Sequence, residues 1–182
     1  RHLDIPGVDA LRVDDHAGLR LAVEHLTDLG HVDIAYIDGG DYVSADPRRT
    51  AYIDAMRDAG LDDRVRVLSS GGTRADGAAT ALALVADGGM PSAVIAYNDQ
   101  VAFGFMDVLA RRGIEVPAHV SVVGFDNVPE AAMPHLSLTT VEQRADLLAF
   151  AASAMVMERL QGAPAGGLRL LPPGPLVVRT ST

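Results

Sequence analysis

Short apolar runs alternate along this chain with longer segments in which apolar residues recur every three or four positions. Residues 34–37, 93–97 and 121–125 are runs of strand length, rich in β-branched side chains. The segments between them carry one apolar stripe each, as in the series Leu19, Ala22, Val23, Leu26 and Leu29. This alternation predicts an α/β fold in which a parallel sheet is flanked by helices.

The same pattern assigns the remaining elements. Further strands are predicted at residues 8–13, 64–68, 138–141 and 176–178, and helices at 48–59, 75–86, 99–112 and 143–160. The last of these helices is apolar nearly all round, so we expect it to be buried on more than one side. Residues 162–167 are predicted to form a loop.

Composition limits the classes of function. The chain has 182 residues, 48% of them hydrophobic, which is enough for one domain or two small lobes. Its net charge of −9 argues against a nucleic-acid surface, because phosphate binding needs concentrated positive charge. The absence of cysteine excludes disulfides and thiolate metal sites.

The longest apolar run, 147–156, is shorter than the ~20 residues of a membrane helix, so no membrane association is expected. No signal peptide opens the chain, and Arg1-His2-Leu3-Asp4 is unlike a natural N-terminus, so we expect a fragment.

Polar residues follow three of the predicted strands: Asp38, Asn98 and Asp126. Ligands bind beyond the carboxyl ends of the strands in open parallel sheets, so we expect these residues to converge on one edge. Carboxylate and amide groups suit a small polar or polyhydroxylated molecule. The alternative is that Asn98 and Asp99 cap the next helix and Asp126 forms a turn. For Asp99 we expect capping.

Arg48 and Arg49 are predicted to lie at a helix start, where the helix dipole disfavours positive charge. A cation there suggests a forked donor for ligand oxygens, and the alternative is a solvated surface arginine.

No metal, cofactor or catalytic site is predicted. The histidines lack metal-ligand spacing, Gly71-Gly72 lacks the lysine of a phosphate loop, and no Gly-x-Ser-x-Gly elbow is present.

Phe103 lies off the apolar stripe of its predicted helix. Such a second apolar patch suggests either a contact between subunits or a cover over a loop.

The chain resembles the effector-binding domain of LacI/GalR-type bacterial transcriptional repressors. The resemblance is carried by an ordered series of short motifs: Gly18-x6-His25-Leu26-x3-Gly30-His31, Ile37-x-Gly39, Arg49, Pro91-x-Ala93, Asn98-Asp99-x-x-Ala102-x-Gly104, Val116-Pro117, Val120-Ser121-Val122-Val123-Gly124-Phe125-Asp126-Asn127, Leu138-Thr139-Thr140-Val141-x-Gln143 and Leu176-Val177-Val178-Arg179-x-Ser181-Thr182. It implies a periplasmic-binding-protein type I clamshell with a small effector in the cleft. It further implies a cytoplasmic homodimer that contacts DNA only through an N-terminal helix-turn-helix absent from this chain.

The resemblance implies that Arg49, Asn98, Asp126 and Gln143 contact the effector. Several members of the family place an aromatic residue near Gly72 to stack on the effector, so stacking here must come from elsewhere or be absent. Val43 and Ala45 stand where purine-binding members carry an arginine and a threonine, which favours a sugar-like ligand over a purine. Asp41, Tyr42 and Ser44 are candidates for additional polar contacts.

The resemblance also divides the chain. Residues 30–142 with 172–182 are expected to form the C-terminal effector-binding lobe, and 1–29 with 143–171 to be remnants of an incomplete first lobe. These remnants would expose apolar faces, so we expect self-association or disorder there.

Two other functions remain open: a solute-binding protein of a sugar transport system, and an enzyme using Asp126 as nucleophile or metal ligand. The enzyme is disfavoured, because the sequence offers no second carboxylate at a fixed short spacing, no lysine and no cysteine.

Overall fold

Strands and helices alternate along the chain as the hydrophobic pattern predicts. We describe residues 7–164 and 166–182 in a computed structural model; residues 1–6, where the predicted segment 1–29 begins, and Ala165, within the predicted loop 162–167, lie outside the described residues. The helices are α1 (Asp15–Asp28), α2 (Ala45–Asp58), α3 (Arg74–Asp87), α4 (Asp99–Arg111) and α5 (Ala145–Leu160). The strands are β1 (Asp9–Val13), β2 (Ile34–Ile37), β3 (Arg66–Leu68), β4 (Ala93–Ala96), β5 (Ser121–Asp126), β6 (Thr139–Glu142), β7 (Gly167–Leu171) and β8 (Leu176–Val177). Single 3-10 turns lie at Asp62–Arg64 and Pro129–Ala132.

The main sheet is six-stranded, in the order β3-β2-β4-β5-β6-β8. Its strands are parallel except β8, which pairs with β6 in the antiparallel direction. Ala93 pairs with Ile34 on one side and with Ser121 on the other, so β2, β4 and β5 run in close register. The prediction of a parallel sheet flanked by helices is therefore confirmed.

Successive strand residues point to opposite faces of the sheet, and a helical layer covers each face. Tyr36 and Phe125 pack with α1 and α2, and Ile37 and Val94 pack with α3 and α4. These four side chains are at most 1% exposed. Burying an apolar side chain of this size contributes about 1.5–3 kcal/mol, so packing on the sheet stabilises both helical layers.

The second layer depends on two glycines, because α3 and α4 touch through their backbones. A Cβ added at Gly104 would lie 1.8 Å from the carbonyl oxygen of Arg74, and one at Gly77 would lie 2.0 Å from that of Val101. No larger residue fits without separating the helices. This close contact fixes the start of α4, which borders the ligand edge described below.

A second, two-stranded sheet is formed by β1 and β7, which pair in parallel, and α5 packs on β1. The prediction of a buried last helix is wrong, because in α5 only Met155 is buried. Phe150 is 73% exposed and Leu160 is 77% exposed. Periodicity identifies an apolar helix, but here one side of it has no neighbouring element among the described residues. The predicted loop 162–167 is also too long, because β7 begins at Gly167.

The packing of α1 bears on the predicted division of the chain at residue 30. Leu19, Val23 and Leu26 are buried in the core shared by β2, β4 and β5. We therefore propose that the larger unit begins near Asp14, the residue whose side chain caps α1.

Candidate functional site

The carboxyl ends of β2, β4 and β5 meet at one edge of the main sheet. Asp38 follows β2, Asn98 follows β4 after Tyr97, and Asp126 ends β5. Since these strands are neighbours and parallel, the three side chains converge on one edge, which we call the ligand edge. They mix carboxylate acceptors with an amide that both donates and accepts.

Asp126 stands in a strained backbone conformation at the centre of this edge. Its φ is +123°, a value that costs a non-glycine residue about 1–3 kcal/mol. Its side chain is 28% exposed, and its Oδ1 lies 3.6 Å from Nη2 of Arg48. Burial raises the pKa of Asp126 to about 6, and the positive charge of Arg48 acts in the opposite direction. A strained, accessible carboxylate held beside a buried cation is well placed to accept hydrogen bonds from a ligand.

Arg48 is the buried cation of the site. Its Nε donates to Asp15 at 3.0 Å, and its Nη1 donates to the carbonyl oxygen of Tyr97 at 2.6 Å. Its guanidinium carbon lies 3.8 Å from the ring centroid of Phe125. These contacts on several sides hold the guanidinium in place, with Asp126 beside it.

Arg49 points elsewhere, towards carboxylates at the rim. Its Nη1 donates to Asp38 at 2.5 Å, and its other terminal nitrogen pairs with Asp46. The two arginines diverge because successive helical residues are about 100° apart. Neither arginine lies at the helix start as predicted, because α2 begins at Ala45 and both lie about one turn inside it. Sequence reasoning singled out this pair but missed both the separate role of Arg48 and its partner Asp15.

Asn98 is engaged on both sides of its amide. Its oxygen accepts from the backbone N–H of Val101 and so caps α4, while its nitrogen donates to the carbonyl oxygen of Gly72 at 3.0 Å. The helix cap is therefore Asn98, and the expectation that Asp99 caps this helix is wrong. Asp99 is the first helical residue, and its side chain turns inward.

Asp99 is fully buried beneath the ligand edge. Its carboxylate accepts from the hydroxyl of Thr140 and from the backbone N–H of Val128. Burial raises the pKa of Asp99 to about 7, although both hydrogen bonds act in the opposite direction. Asp99 thus supports the segment that follows Asp126 and does not itself reach the edge.

Gln143 follows β6 and approaches the ligand edge from the neighbouring strand. Its backbone N–H lies 3.4 Å from the carbonyl oxygen of Asp126, and its side chain is partly exposed. All four predicted contact residues, Arg49, Asn98, Asp126 and Gln143, therefore lie at or beside this edge. Whether each touches a ligand stays a prediction.

Among the described residues, no group of three histidine, aspartate or glutamate side chains is placed to hold a metal ion. In the same part of the chain, no helix is long and apolar enough to cross a membrane.

Phe103 does not form an exposed patch. It is 2% exposed and packs beneath the guanidinium of Arg74, which lies 5.2 Å from its ring centroid. A groove of about 1150 Å³ passes beside it, lined also by Met106, Ile114 and His135. The charged residues Asp107 and Arg111, which also line this groove, are exposed.

Comparison with known proteins identifies relatives over nearly the whole chain. The model of a family described as periplasmic binding protein-like domain matches residues 23–182. The HTH-type transcriptional regulator GalR of Escherichia coli (strain K12) is 35% identical over an alignment of 141 positions that covers 75% of this chain and 41% of that protein. The HTH-type transcriptional repressor PurR of Glaesserella parasuis is 32% identical over an alignment of 154 positions that covers 82% of this chain and 45% of that protein. The chain thus spans less than half the length of these curated relatives.

Solved structures share the fold. A LacI transcriptional regulator from a Rhodococcus species superposes with a TM-score of 0.92 at 42% identity, covering 98% of this chain and 66% of that one. A LacI family regulator from Enterococcus faecium, solved with bound ribose, superposes with a TM-score of 0.86 at 26% identity over the same shares of the two chains.

Proposed function

Since the chain belongs to the periplasmic binding protein-like domain family, as found in LacI/GalR-type transcriptional regulators, we propose that it is the effector-sensing part of such a regulator. In this proposal the chain binds a small polar molecule at the ligand edge. DNA is bound by a part of the protein outside this chain. The protein acts in the cytoplasm as a homodimer, without a cofactor and without catalysing a reaction.

The observation that carries the proposal is the pairing of Asp126 with Arg48. The carboxylate is partly exposed, whereas the guanidinium is buried and fixed by Asp15 and Tyr97. A carboxylate held in this way presents acceptor atoms in a fixed direction. Such preorganisation favours binding, because little side-chain freedom is lost when the ligand arrives.

A sugar is the ligand class we propose. Hydrogen-bond acceptors and donors are mixed at the edge. The carboxylates of Asp38 and Asp126 are acceptors, and the guanidinium of Arg49 and the amide N–H groups of Asn98 are donors. Neutral hydroxyl groups use both kinds of partner, whereas a strongly anionic ligand would meet several carboxylates. The relative solved with bound ribose is consistent with this choice.

Ligand binding would act on DNA by shifting an equilibrium between two arrangements of the protein. An effector changes DNA affinity only if it binds one arrangement more tightly than the other. Asp126 and Gln143 are suited to this role, because they lie on adjacent segments that meet where β6 leads into α5.

Calorimetric titration of the full-length protein with a sugar panel tests the proposal. D-ribose, D-galactose, D-glucose and D-fucose are suitable probes, and one of them should bind saturably. Asp126→Ala should weaken that binding by about 10- to 150-fold, because hydrogen bonds to charged groups contribute about 1.5–3 kcal/mol. Asp107→Ala, an exposed change on α4, should leave it unaltered. Wild-type affinity in Asp126→Ala would contradict the proposed site.

A solute-binding protein of a sugar transport system is the second candidate, because the matched family is described by its likeness to periplasmic binding proteins. The complete gene sequence separates the two functions. A helix-turn-helix with a basic face supports the regulator, and a secretory signal peptide supports the carrier.

A further inference from the structure

An exposed aromatic ring borders the ligand edge. Tyr42 lies in the loop between β2 and α2 and is 53% exposed. Its ring covers Gly72, in the loop between β3 and α3. A Cβ added at Gly72 would lie 2.7 Å from Cε2 of Tyr42, closer than packed atoms approach. The ring therefore occupies the space into which any other side chain at position 72 would extend.

Three contacts fix the support on which this ring rests. Gly40 has a φ of +63°, and a Cβ there would lie 2.7 Å from the carbonyl oxygen of Ser70, so the two loops pack against each other. The backbone N–H of Ala45 donates to the carbonyl oxygen of Tyr42 at 2.9 Å. Asn98 donates to the carbonyl oxygen of Gly72 from below. An exposed ring with an anchored backbone is a preorganised surface.

The ring of Tyr42 continues into the polar part of the ligand edge. Its centroid lies 6.0 Å from that of Tyr97, with the two rings tilted by 45°. The guanidinium of Arg48 lies 5.0 Å from the Tyr97 ring and 3.6 Å from Asp126. Aromatic surface and hydrogen-bonding groups thus border one another, an arrangement typical of sites for small molecules with both apolar and polar faces.

We infer that Tyr42 is a ligand-binding residue of this protein: its ring stacks on the apolar face of a ring-form sugar, and Gly72 leaves the space that the ring requires. This inference rests on the proposed function and narrows its ligand class. A cyclic sugar has a face of C–H groups and a rim of hydroxyls, whereas an open-chain polyol has no such face. Tyrosine supplies a rigid apolar surface with few rotatable bonds to immobilise.

The test compares Tyr42 variants of the full-length protein by calorimetry. The probes are D-galactose, D-glucose, D-fucose and D-ribose, together with the open-chain alditols galactitol and sorbitol. For the sugar that binds the wild type most tightly, Tyr42→Ala should weaken affinity by about tenfold, and Tyr42→Phe should stay within about twofold. In Tyr42→Ala/Gly72→Phe, a ring returns to the same space from the other loop and should restore part of the affinity.

The outcomes separate this inference from the proposed function. Wild-type sugar affinity in Tyr42→Ala, together with a loss in Asp126→Ala, would overturn the role of Tyr42 alone. An equal loss of affinity in Tyr42→Ala and Tyr42→Phe would also overturn stacking, because only the hydroxyl differs in the phenylalanine variant. Alditols that bind the wild type as tightly as the cyclic sugars would overturn the preference for a ring. If no probe binds the wild type, the proposed function and this inference both fail. Tyr42 is exposed, so the alanine variant should unfold at the same urea concentration as the wild type, which would confirm that its fold is intact.

Discussion

The hydroxyl of Thr140 donates a hydrogen bond of 2.6 Å to the fully buried carboxylate of Asp99. The same oxygen accepts from the backbone N–H of Asn127 at 3.3 Å. The second carboxylate oxygen of Asp99 accepts from the N–H of Val128. Thr140 and Asp99 therefore hold the segment that follows Asp126 from two sides, and they link β6 and α4 to the ligand edge.

Thr140→Val removes both of these hydrogen bonds while keeping the size of the side chain. It leaves a buried carboxylate and a backbone N–H short of a partner, so the free energy of unfolding should fall by about 1–3 kcal/mol. Thr140→Ser keeps the hydroxyl and serves as the control, with an expected loss below about 1 kcal/mol. Urea denaturation at pH 8 measures both. Equal losses in the two variants would show that the methyl group matters more than the hydroxyl.

Asp99 should make stability depend on pH. Burial raises its pKa from 3.8 to about 7. Between about pH 4 and 7 the folded state therefore keeps a proton that the unfolded state releases. The free energy of unfolding should fall as pH rises through this window and level off above it. Asp126, with its pKa raised to about 6, acts in the same direction.

Asp99→Asn removes the Asp99 contribution to this slope. From pH 5 to pH 8 the wild type should lose on the order of 2 kcal/mol of unfolding free energy through Asp99, and the variant should not show this loss. Chemical denaturation at a series of pH values gives the comparison. Asp107→Asn, an exposed change on the same helix, should run parallel to the wild type. A parallel curve for Asp99→Asn as well would contradict a raised pKa at this position.

The stacked tyrosines of the core differ in hydrogen bonding and form a matched pair. The rings of Tyr36 and Tyr52 lie 5.2 Å apart, and both residues are fully buried. Tyr52 donates to the carbonyl oxygen of Ile34 at 2.8 Å and accepts from the N–H of Arg66. The hydroxyl of Tyr36 has no hydrogen-bond partner within the described residues.

Tyr36→Phe should leave stability unchanged or raise it by up to about 1 kcal/mol, because an unpaired buried hydroxyl is costly. Tyr52→Phe should lower it by about 1–2 kcal/mol through the loss of two hydrogen bonds. Thermal and urea unfolding of both variants test this difference. A greater loss in Tyr36→Phe than in Tyr52→Phe would mean that the Tyr36 hydroxyl has a partner in solution.

Arg48 and Arg49 should differ in their contribution to folding. Arg48→Met removes the central cation from between Asp15 and Asp126 and should cost about 3 kcal/mol, the low end for a broken buried ion pair, because Asp15 keeps a second partner in Arg12. Arg49→Met should cost about 1 kcal/mol, because Arg49 is 35% exposed. Urea denaturation ranks the two. If Arg49 contacts the ligand as predicted, Arg49→Met should weaken sugar binding without this loss of stability. Equal stabilities for the two variants would contradict the buried role of Arg48.

Sequence pattern predicts best those elements whose partners lie within the chain. The apolar run of β2 matches its observed bounds, and the residues after β2, β4 and β5 meet at one edge because parallel topology requires it. The choice between Arg48 and Arg49 depends on where α2 begins. Its first turn contains Asp46 and Pro47, which favour a helix start but add little to its apolar stripe. The contact between Tyr42 and Gly72 joins two loops. It could not be predicted, because hydrophobic periodicity identifies helices and strands and carries no information about contacts between loops.

The burial of α5 could not be predicted for a related reason. Its apolar residues indicate a helix that packs on other elements, but the pattern does not identify those elements or show that they belong to this chain. The strand β7 is not evident from the sequence, because it is short and glycines and prolines lie on both sides of it. Its first four residues are exposed, and it is held by pairing with β1.

The exposed apolar face of α5 should make this chain associate with itself in isolation. Phe150, Val156 and Leu160 are each more than half exposed, and Leu168 and Leu170 on β7 are exposed as well. Exposed apolar side chains of this kind promote association, because burying them removes them from water. Sedimentation velocity of the isolated chain should show species heavier than a monomer, and Phe150→Glu/Leu160→Glu should shift the distribution towards the monomer. Leu82→Glu, at a 45% exposed position on α3, should leave it unchanged. A monodisperse wild-type monomer, or an equal effect of the Leu82 change, would mean that the face of α5 does not drive association.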